Sequence, residues 1–446
     1  MTGRHPHEID QWNNECQLNS DTPTFAHAFL SAGYDTVLSG RMHFVGWDQR
    51  HGYAERIIGD IPESAYLAAG WKLKLVLGDL ADTPGMSLTG IVKSGPGRSG
   101  YQAYDEAVTG ATVDWLQQRG QDDGESPFLL TVGYVTPHCP FVAPPDDFDT
   151  YRERITESVL PQSHENLHPR NAKLRTQFGT DPMPPTDAQW RTRVAYYGLT
   201  TFLDRQVGEV LSALEQTGMA DDTIIVYCSD HGEMLGEHGM WWKSTFYDGA
   251  CRVPLIVSWP NRLKPEKVLC ENVSLMDVGP TLIDLANIEP LPSTSGKSFR
   301  PLLEDDMAKW DDTVFAEYTI GTICRMVRSG PWKYNYYHNM DSELFHMQDD
   351  PDELSNLSGQ TQHSEIERRL YELALRNWDP QKIQNRMKTI NKEHALIADW
   401  VRSTNPSEPD PLWFSETPKN CVANNSTGPT DDNQQRGVAG DALRCT

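Results

Sequence analysis

The sequence is poor in the features that span membranes, staple small folds or bind polyanions. No apolar run approaches the ~18 residues a membrane-crossing helix needs, so no membrane span is expected. Eight Cys fall at irregular spacings with no C-x-x-C pair. That leaves neither a zinc ribbon nor a disulfide framework to read, and the isolated Cys228 and Cys251 read as small core residues. Positive charge is also scarce. A formal net charge of −24 repels phosphate backbones and argues against a nucleic-acid binder. The same charge means that a site for any small anion must gather its own cations. The opening Met1-Thr2-Gly3-Arg4-His5-Pro6-His7 is polar, unlike a signal peptide, and no internal repeat is visible.

What is present is an alternation of short apolar runs with longer amphipathic ones, the pattern of an α/β sheet with covering helices. Strands are expected at Thr36 to Phe44, Phe128 to Val135, Thr223 to Cys228 (a compact buried strand) and Val253 to Trp259. Arg193 to Thr217 has helical spacing, with Val194, Tyr197, Val207, Val210, Leu211 and Leu214 on one side and Gly218 placed to end it. A shorter helix face runs from Ala107 to Leu116, closed by Gly120. After about residue 310 the pattern changes. Val314 to Tyr318, Ile323 to Arg328, Trp332 to Tyr337 and Glu343 to His346 suggest a small antiparallel sheet. The expected organisation is a main α/β domain over 1–310, a small α+β subdomain over 311–375, a helix over 376–403 and a loosely ordered Pro/Ser/Asn/Asp-rich tail over 404–446.

Three segments carry chemistry. Cys228-Ser229-Asp230-His231-Gly232-Glu233, followed by His238-Gly239-Met240-Trp241-Trp242-Lys243, places an acid and an imidazole at the end of an apolar run. Ligands in α/β sheets bind at the carboxyl ends of strands, so Asp230 and His231 are candidate metal ligands and Lys243 a cation for a substrate anion. The plainer reading is a surface turn that caps a helix. Gly40-Arg41-Met42-His43-Phe44 puts Arg41 and His43 two apart on an expected strand, hence on one face; an exposed edge with a salt bridge is the alternative. Thr136-Pro137-His138-Cys139-Pro140-Phe141 holds His138 between two prolines just past a strand, where an imidazole can serve as proton donor. Each segment alone is weak. Three strand ends presenting cations or ligands together are not.

As a set, these segments resemble the type I sulfatases of the alkaline phosphatase superfamily. Ser229 through Gly239 to Lys243, then Arg252-Val253-Pro254-Leu255-Ile256, is similar to that family's metal-and-lysine motif. Ala32-Gly33-Tyr34 through His43 is similar to its lysine–histidine motif, and Pro137-His138-Cys139-Pro140-Phe141 to its Pro-His-x-Pro-Phe loop. Trp332-Lys333-Tyr334 and Glu343 through Leu357 resemble its C-terminal sheet signature. The resemblance implies a mixed sheet sandwiched by helices, alkaline phosphatase-like, with a small C-terminal antiparallel sheet. It also implies hydrolysis of sulfate monoesters, with Asp230 and His231 helping to hold one Ca²⁺ and a formylglycine hydrate attacking sulfur. Arg41 and Lys243 would stabilise charge on the sulfate. His138 would protonate the leaving alkoxide, and His43 would assist the hydrate and sulfate release.

Two departures stand out. The family's lysine is Arg41 here, and a planar fork does not act like a point charge. None of the eight Cys lies in a Cys-x-Pro-Ser-Arg motif, the source of formylglycine, while Thr2-Gly3-Arg4 resembles the residues that follow it. The expectation is a catalytic domain lacking its N-terminal segment, and a chain inactive by itself. Rival readings are a phosphodiester or phosphonate monoester hydrolase of the same superfamily and a non-catalytic anion- or sugar-binding protein. His164-Glu165-Asn166-Leu167-His168 spells the zinc-protease pattern H-E-x-x-H. Pro161 and Pro169 bracket it too closely for the helix it needs. The partner is expected to be a small-molecule or carbohydrate sulfate ester, with oligomeric state left open. Gly46-Trp47-Asp48-Gln49-Arg50-His51-Gly52 is similar to choline sulfatases, and Trp47, Trp241 and Trp242 are candidates for a quaternary-ammonium cage.

Overall fold

A computed structural model describes residues 1–14, 16–46, 48–60, 66–67, 71–72, 86–121, 126–155 and 167–404. Trp47, residues 164–166 of the H-E-x-x-H pattern and the expected tail beyond Thr404 lie outside the described residues. Three parallel strands, β1 (Asp35–Gly40), β2 (Glu55–Ile58) and β3 (Phe128–Gly133), form a sheet in the order β2-β1-β3. Thr36, Val37 and Leu38 of β1 are buried, as a central parallel strand requires.

β1 stops sooner than the apolar run suggests, at Gly40 rather than Phe44. Gly40 faces Gly133 in register and takes φ +91°. The chain then turns across the end of β3, where Arg41 N donates to Gly133 O at 2.8 Å. A Cβ on Gly133 would stand 1.7 Å from Arg41 O, so only glycine allows this crossing. Arg41 and His43 therefore sit on a loop, not on one face of a strand.

Helix α1 (Gly100–Arg119) lays Tyr104 and Val108 against Ile58 and Val135. Helix α2 (Thr186–Gln216) begins earlier than its spacing indicates. Gly218 follows its end with φ +73°. Its buried stripe is Val194, Ala195, Leu199, Phe202 and Leu203, while Tyr197 is 42% exposed. The helix is wedged against Phe141 and Phe148, and that contact decides which side faces inward. Trp241 and Trp242 join the same cluster at 1% and 2% exposure. They are core residues, which removes both from any ligand cage.

β4 (Ile225–Cys228) and β5 (Leu255–Ser258) pair antiparallel. The compact buried strand expected at Thr223 to Cys228 is only half-buried, and Cys228 is exposed. Among the described residues these strands form a ladder only with each other, and their faces are only partly covered; Ile256 is 58% exposed.

The C-terminal strands form as expected: β6 (Thr313–Tyr318), β7 (Cys324–Ser329), β8 (Trp332–Tyr337) and β9 (Glu343–His346), antiparallel in sequence order. Helix α3 (Ser364–Leu375) covers one face through Leu370 and Ala374. Helix α4 (Pro380–Thr404) packs Ile383 with Trp378, Trp12 and Ile323. Phe345 of β9 meets Met234, Met240 and Tyr247, so the small sheet rests directly on the loop after β4. Lys333, 1% exposed, ties the two together through Asp248 Oδ1 at 2.8 Å and Glu353 Oε1 at 2.7 Å. No helix among the described residues is long and apolar enough to cross a membrane.

Candidate active site

The loop after β1 carries Arg41 and His43 and is held from below. Arg56, buried on β2, donates to Gly40 O at 3.0 Å and to Gln49 O at 2.8 Å. Gln49 Nε2 donates to Phe44 O at 2.7 Å and Gly46 O at 2.8 Å. Asp60 Oδ2 accepts from Met42 N at 3.1 Å and His43 N at 2.7 Å. Above this frame, Arg41 Nη2 lies 3.4 Å from His43 Nδ1.

The loop after β3 carries His138. Here the clamp is Asp105, buried on α1, which accepts from Val135 N and Thr136 N at 2.9 Å each and from Thr136 Oγ1 at 2.6 Å. His138 Nδ1 lies 2.8 Å from Cys139 O. A carbonyl only accepts, so Nδ1 bears the proton and Nε2 of the neutral ring is free of one.

The loop after β4 carries the rest. His231 Nδ1 donates to Gly232 O at 2.8 Å, and Lys243 Nζ lies 2.9 Å from His231 Nε2. Asp230 Oδ2 is 3.6 Å from the same nitrogen, with a side chain 80% exposed. Glu233, half-buried, is the third clamp, accepting from Leu235 N at 3.2 Å and Trp242 N at 2.6 Å. It thereby fixes the start of the turn around Lys243, where Trp242 takes φ 60° and Ser244 φ 75°.

The loops converge. The His138 and His231 rings meet edge to face with centroids 6.0 Å apart. His43, Asp230, His231 and Lys243 line one continuous cleft. Electrostatics link them all. Burial and then Arg41 push His43 down to about 4. Burial and then Lys243 push His138 down to about 3. Burial lowers Lys243, with Asp230 pulling the other way. At Asp230, desolvation is outweighed by the His231, Lys243 and Arg41 charges, and the carboxyl stays below the ordinary aspartate range. Burial raises Asp105 and Glu233 to about 7.

All six residues singled out by the motifs are thus gathered in one place. Asp60, Asp105 and Glu233, which hold the loops, are not among them. Asp60 had a signal, since an acid one small residue past an apolar run (Ile57-Ile58-Gly59-Asp60) parallels the approach to Asp230 through Cys228-Ser229. Asp105 had none, because an acid inside a helix reads as solvated.

Asp230 offers an ionised carboxylate, and His231, its Nδ1–H tied to a carbonyl, has an unprotonated Nε2, the tautomer metals select; Lys243 Nζ, 2.9 Å from that nitrogen, would have to swing aside for a metal to bind there. These two donors fit a cation as part of a set. Calcium takes six to eight oxygens, and the described residues contain no group of three or more His, Cys, Asp or Glu poised for a metal.

Residues 1–288 match the family described as Sulfatase, and residues 236–381 match N-sulphoglucosamine sulphohydrolase, C-terminal. Among curated relatives, a choline-sulfatase of Rhizobium meliloti (strain 1021) is 34% identical over 377 residues, covering 80% of this chain and 71% of the relative. An arylsulfatase of Clostridium perfringens (strain 13 / Type A) is 30% identical, covering 58% of this chain and 54% of the relative. Among solved structures, the phosphonate monoester hydrolase of Silicibacter pomeroyi superposes with a TM-score of 0.67 at 21% identity, over 87% of this chain and 84% of that one. At that identity the likeness is one of fold.

Proposed function

The chain belongs to the sulfatase family, and from that premise we propose that it hydrolyses sulfate monoesters in the cleft formed by Arg41, His43, His138, Asp230, His231 and Lys243. The observation that carries this reading is the gathering of two permanent cations and three imidazoles around one exposed carboxylate, in a molecule of net charge −24. Such a cluster suits a small anion with several oxygens.

In this reading Arg41 and Lys243 hold the sulfate oxygens and stabilise charge that develops on them. Burial first, and then Lys243 and Arg41, keep His138 neutral; a bound anion offsets the two cations, so Nε2 takes a proton from solvent and delivers it to the departing alkoxide. Nδ1 stays on Cys139 O and keeps the ring aimed. His43, likewise neutral when the cleft is empty, is placed beside Arg41 to relay a proton during sulfate release. Asp230 and His231 would hold a Ca²⁺ ion, whose charge would polarise the sulfate oxygens when bound. The formylglycine expected from the family resemblance has no precursor in these residues, since none of the eight Cys stands in Cys-x-Pro-Ser-Arg. No attack step is therefore assigned to a side chain of this chain. Choline sulfate is the first substrate to try, on the strength of the 34%-identical relative, with carbohydrate sulfates next.

The test is sulfate release in calcium buffer by the full protein, beside its Asp230→Ala variant. Turnover that disappears in the variant, with circular dichroism unchanged, is the expected result. Full turnover by Asp230→Ala with calcium still bound would falsify the assignment.

A further inference from the structure

The arginine at position 41 raises a question of geometry. Its guanidinium spans two groups: Nη1 is 3.5 Å from Asp60 Oδ1 and Nη2 is 3.4 Å from His43 Nδ1. Asp60 has a side chain only 3% exposed, and its other oxygen accepts the backbone N–H groups of Met42 and His43. His43 is held there at φ 55°, a conformation side-chain-bearing residues rarely adopt and one that persists only where the surroundings enforce it. Arg56 approaches the same carboxylate at 3.7 Å. One buried carboxylate thus holds a site side chain and the strained backbone of the site residue two positions on.

We infer that Asp60 is a positioning residue of the cleft: its carboxylate fixes the Arg41 guanidinium and the His43 backbone in the orientation that receives the sulfate. The inference rests on the reading of this cleft as a sulfate site. It also accounts for arginine in place of lysine. A planar fork reaches Asp60 and His43 at once, whereas an ammonium is a single point of charge. Asp60 and Arg41 form a matched pair, joined across the gap between β2 and the loop after β1.

The test is calorimetric titration of the full chain with inorganic sulfate in calcium buffer, alongside thermal unfolding. Asp60→Asn should weaken sulfate binding by about tenfold or more, the scale on which misplaced site groups act. The direction is diagnostic. Deleting a negative charge beside a cationic site would strengthen anion binding if Asp60 acted only through its field. A merely structural role would lower the melting temperature and leave the affinity of the folded protein unchanged. Asp60→Glu, which restores the charge and both acceptors, should recover part of the loss. If Asp60→Asn does not fold, Arg41→Lys carries the test, because it keeps the charge and loses the fork; a similar loss is expected. Sulfate affinity equal to or above wild type in a folded variant overturns the inference alone. No sulfate binding by the wild-type chain overturns the reading of the cleft, and the inference falls with it.

Discussion

His138 shows how burial sets the chemistry of single residues in the cleft. Burial and the nearby Lys243 hold it down to about 3, below the ordinary histidine value near 6.5. The sign follows: the neutral ring stabilises the fold above pH 6.5, and that contribution is lost as pH falls through 6.5 towards 3. We expect its imidazole carbon and nitrogen shifts to stay flat from pH 8 to about pH 5, and its titration to move upward when inorganic sulfate is added. Titration near 6.5 in the free protein would contradict the neutral assignment. Asp105 has the opposite sign. Burial lifts it to about 7, so its contribution is complete below its unfolded value near 3.9 and is lost as pH rises through 7. Asn cannot ionise. The stability gap between wild type and Asp105→Asn should therefore narrow by on the order of 1.4 kcal/mol per pH unit between about pH 4 and 7, and stay level above that. A gap independent of pH would mean that Asp105 is ionised throughout.

Where elements meet, close approach governs the site. The loop after β1 crosses the end of β3 at Gly133 with no room for a methyl group. Gly133→Ala must push Arg41 aside, at about 1–3 kcal/mol, the usual cost of overpacking. Sulfate affinity should fall with it. Gly110, inside α1, has open space where a Cβ would stand, with no neighbour within 4 Å. Gly110→Ala should therefore stabilise by roughly 0.5–1 kcal/mol through helix propensity alone. Urea unfolding of the two variants reads both signs. Equal behaviour of the pair would mean that the crossing at Gly133 does not constrain the loop.

Across the whole molecule, the small sheet and the site are one structure. Lys333 of β8 reaches Asp248, just past the Lys243 turn, and Glu353. Asp248 N also donates to Glu353 Oε2 at 2.6 Å. Burial pushes Glu353 up to about 7 even against the Lys333 charge, a measure of how dry the junction is. Lys333→Ala leaves two carboxyl groups facing each other without their cation, and removing one partner of a buried pair costs about 3–5 kcal/mol. Denaturant unfolding should show that loss in a single transition. A loss under about 1 kcal/mol would mean that the junction is wetter than its geometry indicates. The net charge of −24 and the cationic cleft are reconciled at the same scale, since Arg41 and Lys243 arrive from loops far apart in sequence and meet only in the folded chain.

The sequence by itself determined which elements form and the chemistry-bearing segments that follow them: strands leading into Arg41-Met42-His43 and into Ser229-Asp230-His231, and four C-terminal strands read nearly to the residue. These were legible because an apolar run that stops at a polar, chemistry-bearing residue is a local pattern. Burial is not local. That Tyr197 faces out while Leu199 faces in depended on Phe141 and Phe148. That Trp241 and Trp242 are core rather than cage depended on α2. That β1 ends at Gly40 depended on Gly133, more than ninety residues away. Only the tertiary structure could choose Asp60, Asp105 and Glu233 among 63 acidic residues as the ones that hold the site, because a carboxylate becomes a clamp when the fold removes its water and leaves backbone N–H groups as its partners.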